Sequence, residues 1–316
     1  MTVKVGVIGA GRWGRNHLRV YSQLGCELVG LADVNPDLKK LADDYGIKFF
    51  TDYKKLLREV DAVSVVVPTN LHYDVVTDCI KAGKHVMVEK PITTDSEETQ
   101  ELVSLAEDKD VVLMAGYLFR FNAASIRLRE LMKGAGDVHY ITARYVHSSK
   151  PPRKDSGVVF NFAVHLIDIL SFILEKPPVS VFCKNVHYLS DEREDSALII
   201  LDYGDIVANL EVGWFHPLKK RDMWVICSKE KIYVDFLEQM IVRHPINISY
   251  DGVSAEKEVI EEFPKNEPLK AELEYFIYCV REGRKPDVDS EAYMTTKICE
   301  LCLKSAKIGA EIPVFD

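Results

Sequence analysis

Nowhere in the 316 residues does an apolar run approach the length of about 20 residues that a bilayer crossing needs, so no membrane span is expected. The N-terminus also lacks a charged, apolar, small-residue leader. Met1 is followed almost at once by the strand-like run Val3–Ile8, and the mature chain is expected to start there. Positive charge is short as well: 40 Lys and Arg against 49 Asp and Glu leave a formal charge of −9. On average such a surface repels phosphates, which argues against a general nucleic-acid or membrane-surface binder but not against one locally basic pocket for an anionic small molecule. Cysteine is sparse and odd in number, the seven being Cys26, Cys79, Cys183, Cys227, Cys279, Cys299 and Cys302. Scattered in this way they read as reduced core residues of a cytoplasmic protein rather than as a disulfide framework. Cys299 and Cys302 form a C-x-x-C, but no second pair or nearby His completes a zinc or redox site. Both are read as core, and no metal is expected.

What is present is an ordinary soluble composition, 47% hydrophobic and 28% charged, in a chain long enough for two domains. Up to about residue 116, short apolar runs alternate with helical patterns. Val3–Ile8, Leu28–Ala32, Ala62–Val67, Val86–Val88 and Val111–Ala115 are almost continuously apolar and β-branched, as strands buried on both faces of a parallel sheet must be. Between them Trp13–Leu24, Pro36–Tyr45, Tyr73–Ala82 and Ser96–Lys109 carry helical periodicity. Beyond lie helical patterns at Ala123–Met132 and Phe160–Leu174 and strand-like runs at Val138–His147, Val179–His187, Ala197–Tyr203, Ile206–Val212, Met223–Cys227, Lys231–Asp235 and Met240–Val242. Pro268–Glu282 and Ser290–Ala310 close the chain as helices. The reading is a doubly wound α/β domain over residues 1–121 and an α+β domain with an open, mostly antiparallel sheet over residues 122–316.

The run Gly9-Ala10-Gly11-Arg12-Trp13-Gly14 is G-x-G-x-x-G placed between a buried strand and an amphipathic helix. Gly9 permits the tight turn, Gly11 lets the backbone approach a pyrophosphate, and Gly14 lets the helix pack on the strand. The helix N-terminus offers its free N–H groups to the phosphates. Asp33 ends the second strand, where a carboxylate accepts hydrogen bonds from the adenosine ribose. It would repel a 2′-phosphate, which favours NAD over NADP. The plainer reading of Asp33 is a turn carboxylate ahead of Asn35-Pro36.

Pro68-Thr69-Asn70-Leu71-His72 and Glu89-Lys90-Pro91 follow the next two long strands, at the carboxyl ends where open α/β sheets bind ligands. Pro68, Thr69, Asn70, His72 and Glu89 join Arg12 and Trp13 as candidate cofactor contacts. His72 is equally well explained as the start of a helix. Lys90 is placed to meet the nicotinamide end, hydrogen-bond a substrate hydroxyl and stabilise a developing alkoxide; its alternative is a surface pair with Glu89. Further on, Asn161, His165 and Asp168 interrupt an almost wholly apolar stretch. Helical spacings of four and three align them in one stripe. Buried polar groups need partners, so such a stripe forms a network or faces a cavity, and His is suited to taking a proton near neutral pH.

Taken in order, the G-x-G-x-x-G start, Glu89-Lys90-Pro91, Gly116–Arg120 with Phe121-Asn122, and the His165-x-x-Asp168 helix resemble the glucose–fructose oxidoreductase / inositol dehydrogenase / MocA family over essentially the whole chain. The resemblance implies a Rossmann domain and an open-sheet domain whose face makes subunit contacts, hence a homodimer or homotetramer. It also implies that Lys90 and His165 act on the hydroxyl of a sugar or cyclitol. Many members carry Asp one turn before the His, where this chain has Asn161. An amide orients the imidazole but does not stabilise imidazolium as a carboxylate does. Asn at this place is similar to members acting on UDP-linked amino sugars or uronic acids, and Pro68–His72 and Lys150-Pro151-Pro152-Arg153 resemble UDP-N-acetylglucosamine 3-dehydrogenases in particular.

The expected activity is therefore NAD-dependent oxidation of a secondary sugar hydroxyl. His165 would take the proton, Lys90 hold the oxygen, Asn161 orient His165, and Asp168 support it or touch substrate. Arg120, and Arg153 with Lys150 and Lys154, would offer charge to the substrate, unless the latter group is a solvated linker. A free-sugar or inositol dehydrogenase and a non-catalytic NAD-binding regulator are the alternatives.

Overall fold

Residues Val5, Gly6, Val7 and Ile8 of β1 (Lys4–Ile8) are all buried, because this strand lies at the centre of a parallel sheet covered on both faces. The computed structural model describes residues 2–148, 156–189, 191–286 and 289–315. In it the chain forms two compact units, residues 1–118 with 267–296, and residues 119–266 with 297–316.

In the first unit β1 is followed by α1 (Arg12–Tyr21), β2 (Glu27–Ala32), α2 (Lys39–Asp44), β3 (Lys48–Phe50), α3 (Tyr53–Leu56), β4 (Ala62–Val65), α4 (His72–Lys81), β5 (His85–Glu89), α5 (Ser96–Asp108) and β6 (Leu113–Gly116). All strands are parallel in the order β3-β2-β1-β4-β5-β6, the doubly wound arrangement expected from the strand–helix alternation. That order reverses at β1, so the ends of β1 and β4 open a crevice beside the glycine loop. β3 and α3, of three and four residues, were not anticipated. The helix predicted from Pro36 opens as a 3-10 turn capped by Asn35, whose side chain accepts from the Asp37 amide.

The second unit begins with α6 (Ala123–Met132) and β7 (Val138–Val146). A π-helical turn (Val159–Ala163) then runs directly into α7 (Val164–Leu174). β8 (Ser180–Val186), β9 (Ser196–Asp202), β10 (Val207–Gly213), β11 (Lys220–Cys227), β12 (Lys231–Asp235) and β13 (Met240–His244) follow. Next come the hairpin β14 (Ile246–Ser249) with β15 (Gly252–Ala255), and β16 (Val259–Ile260). α8 (Pro268–Glu282) belongs to the first unit, where Leu269, Leu273, Phe276 and Ile277 bury its apolar face. The division at residue 121 expected from the sequence thus omits a segment that returns to the first unit. α9 (Asp289–Ile308) precedes β17 (Ile312–Pro313).

Nine strands make one sheet in the order β16-β13-β12-β11-β7-β10-β9-β8-β17, antiparallel except for β7 beside β10. The mostly antiparallel sheet predicted for this region is what forms. One face is covered: Ile141, Ala143, Ala208, Leu210, Met223 and Val225 are buried on it. The opposite face carries exposed Tyr140, Leu198, Ile200 and Val207; Tyr140 lies directly opposite Val207, whereas Ile200 and Leu198 lie opposite Asn209 and Glu211.

Candidate active site

The glycine loop has the stereochemistry of a dinucleotide cradle. Gly9 has φ +94°, and a Cβ there would lie 2.6 Å from the Val66 carbonyl oxygen. A Cβ on Gly14 would lie 2.0 Å from the Gly9 oxygen, whereas one on Gly11 would meet nothing within 4 Å. The loop is therefore closed against the protein at Gly9 and Gly14 and open at Gly11, which leaves room for a phosphate to approach. Gly11 caps α1, so the free N–H groups of that helix start here. Arg12 and Trp13 form its exposed first turn. Asp33 does more than the sequence suggested. Its Oδ2 accepts from the Ala10 amide at 2.7 Å and its Oδ1 from the Asn35 amide at 2.9 Å, so the carboxylate tethers the loop, a role beside the ribose contact expected for it. Gly9, Gly11, Asp33, Tyr53, Pro68 and Leu71 are among the residues lining a mainly apolar cavity of about 350 Å³, which suits an adenosine. The residues fit the dinucleotide.

Pro68 caps the 3-10 turn Thr69–Leu71; Thr69 is buried, Pro68 and Asn70 exposed. His72 is buried. Its Nδ1 lies 2.9 Å from the Pro91 carbonyl and its Nε2 2.9 Å from that of Val67, so the ring ties the Glu89-Lys90-Pro91 segment to the end of β4. Burial lowers the pKa of His72, against the pull of these carbonyls and of Glu89. A tie of this kind is a third role, beside the cofactor contact and the plain helix start weighed for it.

Glu89 ends β5 and Lys90, half-buried, follows it. The sequence reading missed what holds Glu89 from behind. His17 on α1 is wholly buried, with Nε2 3.1 Å from Glu89 Oε1 and Nδ1 3.1 Å from Ser64 Oγ. Ser64 also meets the Tyr21 hydroxyl at 2.7 Å. Burial pushes the Glu89 carboxyl up, but the hydrogen bond and charge of His17, with Lys90 and His72, outweigh it and hold it below its usual value. The available signal was His17 three residues after Gly14, on the buried stripe of α1.

In the second unit the π-helical turn changes the geometry assumed for the polar stripe, because its wider turn replaces the α-spacing between Asn161 and His165. Both side chains are nearly buried. Asn161 Nδ2 donates to Ser156 Oγ at 3.3 Å. His165 stacks on Phe119 (centroids 4.9 Å apart) and Tyr145 (5.7 Å), which fix its ring plane. Asp168 and Arg120, predicted in separate roles, are brought together: Arg120 Nε and Nη2 donate to Asp168 Oδ1 at 2.9 and 2.6 Å, with both side chains buried. Glu194, also missed, accepts from the Val159 amide at 2.8 Å and so caps the π turn. A Cβ on Gly157 would lie 2.1 Å from its carboxyl carbon. Burial raises the Glu194 pKa. Lys150, Arg153 and Lys154 lie outside the described residues. Cys299 and Cys302 are wholly buried, as core residues should be.

Residues 3–117 match the oxidoreductase family with an NAD-binding Rossmann fold, and residues 127–233 match the GFO/IDH/MocA C-terminal domain. The chain belongs to the GFO/IDH/MocA oxidoreductases, and it is an NAD-dependent dehydrogenase acting on CH–OH groups. It is 28% identical to the UDP-N-acetylglucosamine 3-dehydrogenase of Acidithiobacillus ferrooxidans over 92% of each chain. A solved structure of that enzyme superposes with a TM-score of 0.88 at 27% identity, covering 98% of this chain and 99% of its own. The NAD-dependent scyllo-inositol 2-dehydrogenase of Bacillus subtilis is 26% identical over 91% of this chain and 90% of its own. Levoglucosan dehydrogenase, solved with NADH and levoglucosan, has the same fold at 17% identity and a TM-score of 0.87.

Proposed function

We propose that this dehydrogenase oxidises a secondary hydroxyl of a nucleotide sugar, of the UDP-N-acetylglucosamine 3-dehydrogenase type. The observation that carries the reading is full-length similarity to that enzyme in a chain that has Lys90 after β5 and the Asn161/His165 pair on its buried helix. Lys90 holds the hydroxyl oxygen and favours its negative charge, and His165 takes the proton, with Asn161 as the orienting amide. NAD, when bound, supplies the ring that accepts the hydride from the same carbon. Asp168 serves through Arg120 rather than by touching substrate. The exposed Tyr140, Leu198, Ile200 and Val207 support a homodimer or homotetramer formed through the open sheet face, and the cysteine usage supports a cytoplasmic setting.

The test is reduction of NAD and NADP against a panel of UDP-sugars, free sugars and inositols. Turnover with a UDP-sugar and NAD, inhibited by UDP, is the expected result. Turnover of inositols with indifference to UDP would replace this reading by the second one, which similarity to the scyllo-inositol enzyme favours. No turnover at all with tight NAD binding would point to a regulator.

A further inference from the structure

Arg221 of β11 pairs in register with Tyr145 of β7, and directly opposed residues share a sheet face. That face is the covered one, since Met223 and Val225, which follow at alternate positions, are wholly buried. The guanidinium carbon of Arg221 lies 4.3 Å over the Tyr145 ring and 5.9 Å from the Phe119 centroid. These are the two rings that stack on His165, so Arg221 stands one ring away from the imidazole assigned to take the proton.

The other guanidinium groups at similar depth are matched to carboxylates: Arg120 to Asp168, Arg144 to Asp222, Arg127 to Glu261, and Arg243 to Glu230. The Arg221 side chain has no ion pair or hydrogen bond among the described residues, and its Nε is buried without a partner. Aromatic rings satisfy the flat face of a guanidinium but offer no acceptor to its in-plane N–H groups, and here the buried Nε–H is left unmet. A half-buried cation in that condition costs stability unless something binds it, and its fork matches the paired oxygens of a phosphate or carboxylate.

We propose that Arg221 binds an oxyanion of the substrate, a phosphate ester or a carboxylate, and selects charged sugars over neutral ones. This rests on the sugar-dehydrogenase reading of the same site. It also locates a positive charge that the net charge of −9 conceals.

The test uses the full-length enzyme saturated with NADH, with calorimetric binding of UDP-N-acetylglucosamine, N-acetylglucosamine 1-phosphate, glucuronate and N-acetylglucosamine. Arg221→Met keeps the apolar stem on Tyr145 and removes the donors. It should weaken the charged ligand that Arg221 serves roughly 10- to 100-fold, while NADH affinity checks the fold. Arg221→Lys should restore part of the loss. The phosphate and the glucuronate arms say which oxyanion is held. The proposal is overturned if Arg221→Met leaves every charged ligand unaffected, or weakens N-acetylglucosamine as much as its 1-phosphate. Failure of the proposed function would look different: no sugar would be oxidised, while inorganic phosphate would still bind the wild type and bind Arg221→Met more weakly. Equal phosphate binding by the two proteins would count against Arg221 in that case as well.

Discussion

Replacing Asp168 by Asn should destabilise the second unit far more than it alters proton transfer. The Asp168 and Arg120 side chains are 1% and 6% exposed, and three contacts of 2.6 to 3.0 Å join them. An exposed pair contributes about 1 kcal/mol or less, but removing one partner of a buried pair leaves a desolvated charge and costs about 3–5 kcal/mol. Asn keeps the shape and removes the charge, and turns an N–H donor toward Arg120. At about 2–4 °C per kcal/mol for a unit of this size, the melting temperature should fall by roughly 6–20 °C. Guanidinium denaturation followed by tryptophan fluorescence measures the loss, since Trp214 and Trp224 lie in the same unit as the pair. Replacing both partners, Arg120→Met with Asp168→Leu, should recover at least half of it, because the two charges of the pair are then removed together. A loss below about 1 kcal/mol for Asp168→Asn would refute the argument. So would a double variant less stable than the single one.

Other outcomes follow from the site. Lys90→Met and His165→Ala should each lower kcat by roughly 10²- to 10⁴-fold while leaving the NADH dissociation constant within a few-fold; full activity in either removes it from the mechanism. Gly11→Ala should melt like the wild type yet bind NADH poorly, whereas Gly14→Ala should lose both stability and binding, because its Cβ would lie 2.0 Å from the Gly9 oxygen. Equal melting of the two would contradict the geometry. Glu89 has a folded-state pKa held below the usual 4.5, so its stabilising effect is complete above that pH and drains as pH falls through the lower folded value. Glu89→Gln should therefore flatten the acid limb of a melting-temperature profile taken from pH 6 to pH 3. An unchanged slope would mean that His17 does not stabilise the carboxylate.

The glycine loop and the parallel sheet were legible in the sequence because each depends on short-range facts. A strand buried on both faces must be apolar throughout, and Gly9 and Gly14 leave no room for a side chain. β3 and α3 are too short to show a period, and β14, β15 and β16 are largely exposed and so lack the alternation by which strands are found. Asn161, His165 and Asp168 were rightly singled out as buried polar groups, but the stripe was drawn with α-helical spacing. Nothing in Val158–Ala163 announces a π turn, which depends on Glu194 arriving from more than 30 residues downstream to take the Val159 amide. Arg221 escaped for a related reason. In Lys219-Lys220-Arg221-Asp222 it reads as one of a run of surface cations, and only the pairing with Tyr145 turns it inward.

The double engagement of Asp33 has a consequence for redesign. On the ribose role proposed for Asp33, conversion of such an enzyme to NADP would begin by removing this carboxylate, so that a 2′-phosphate is no longer repelled. Here the same oxygen that would be removed also holds the Ala10 amide, so the exchange slackens the loop on which every dinucleotide depends. On that proposal, cofactor preference and loop rigidity are not independent traits in this scaffold. A successful switch needs a second substitution that gives Ala10 a new acceptor, and a lineage that changed preference would have to pass through, or avoid, a form that binds neither cofactor well.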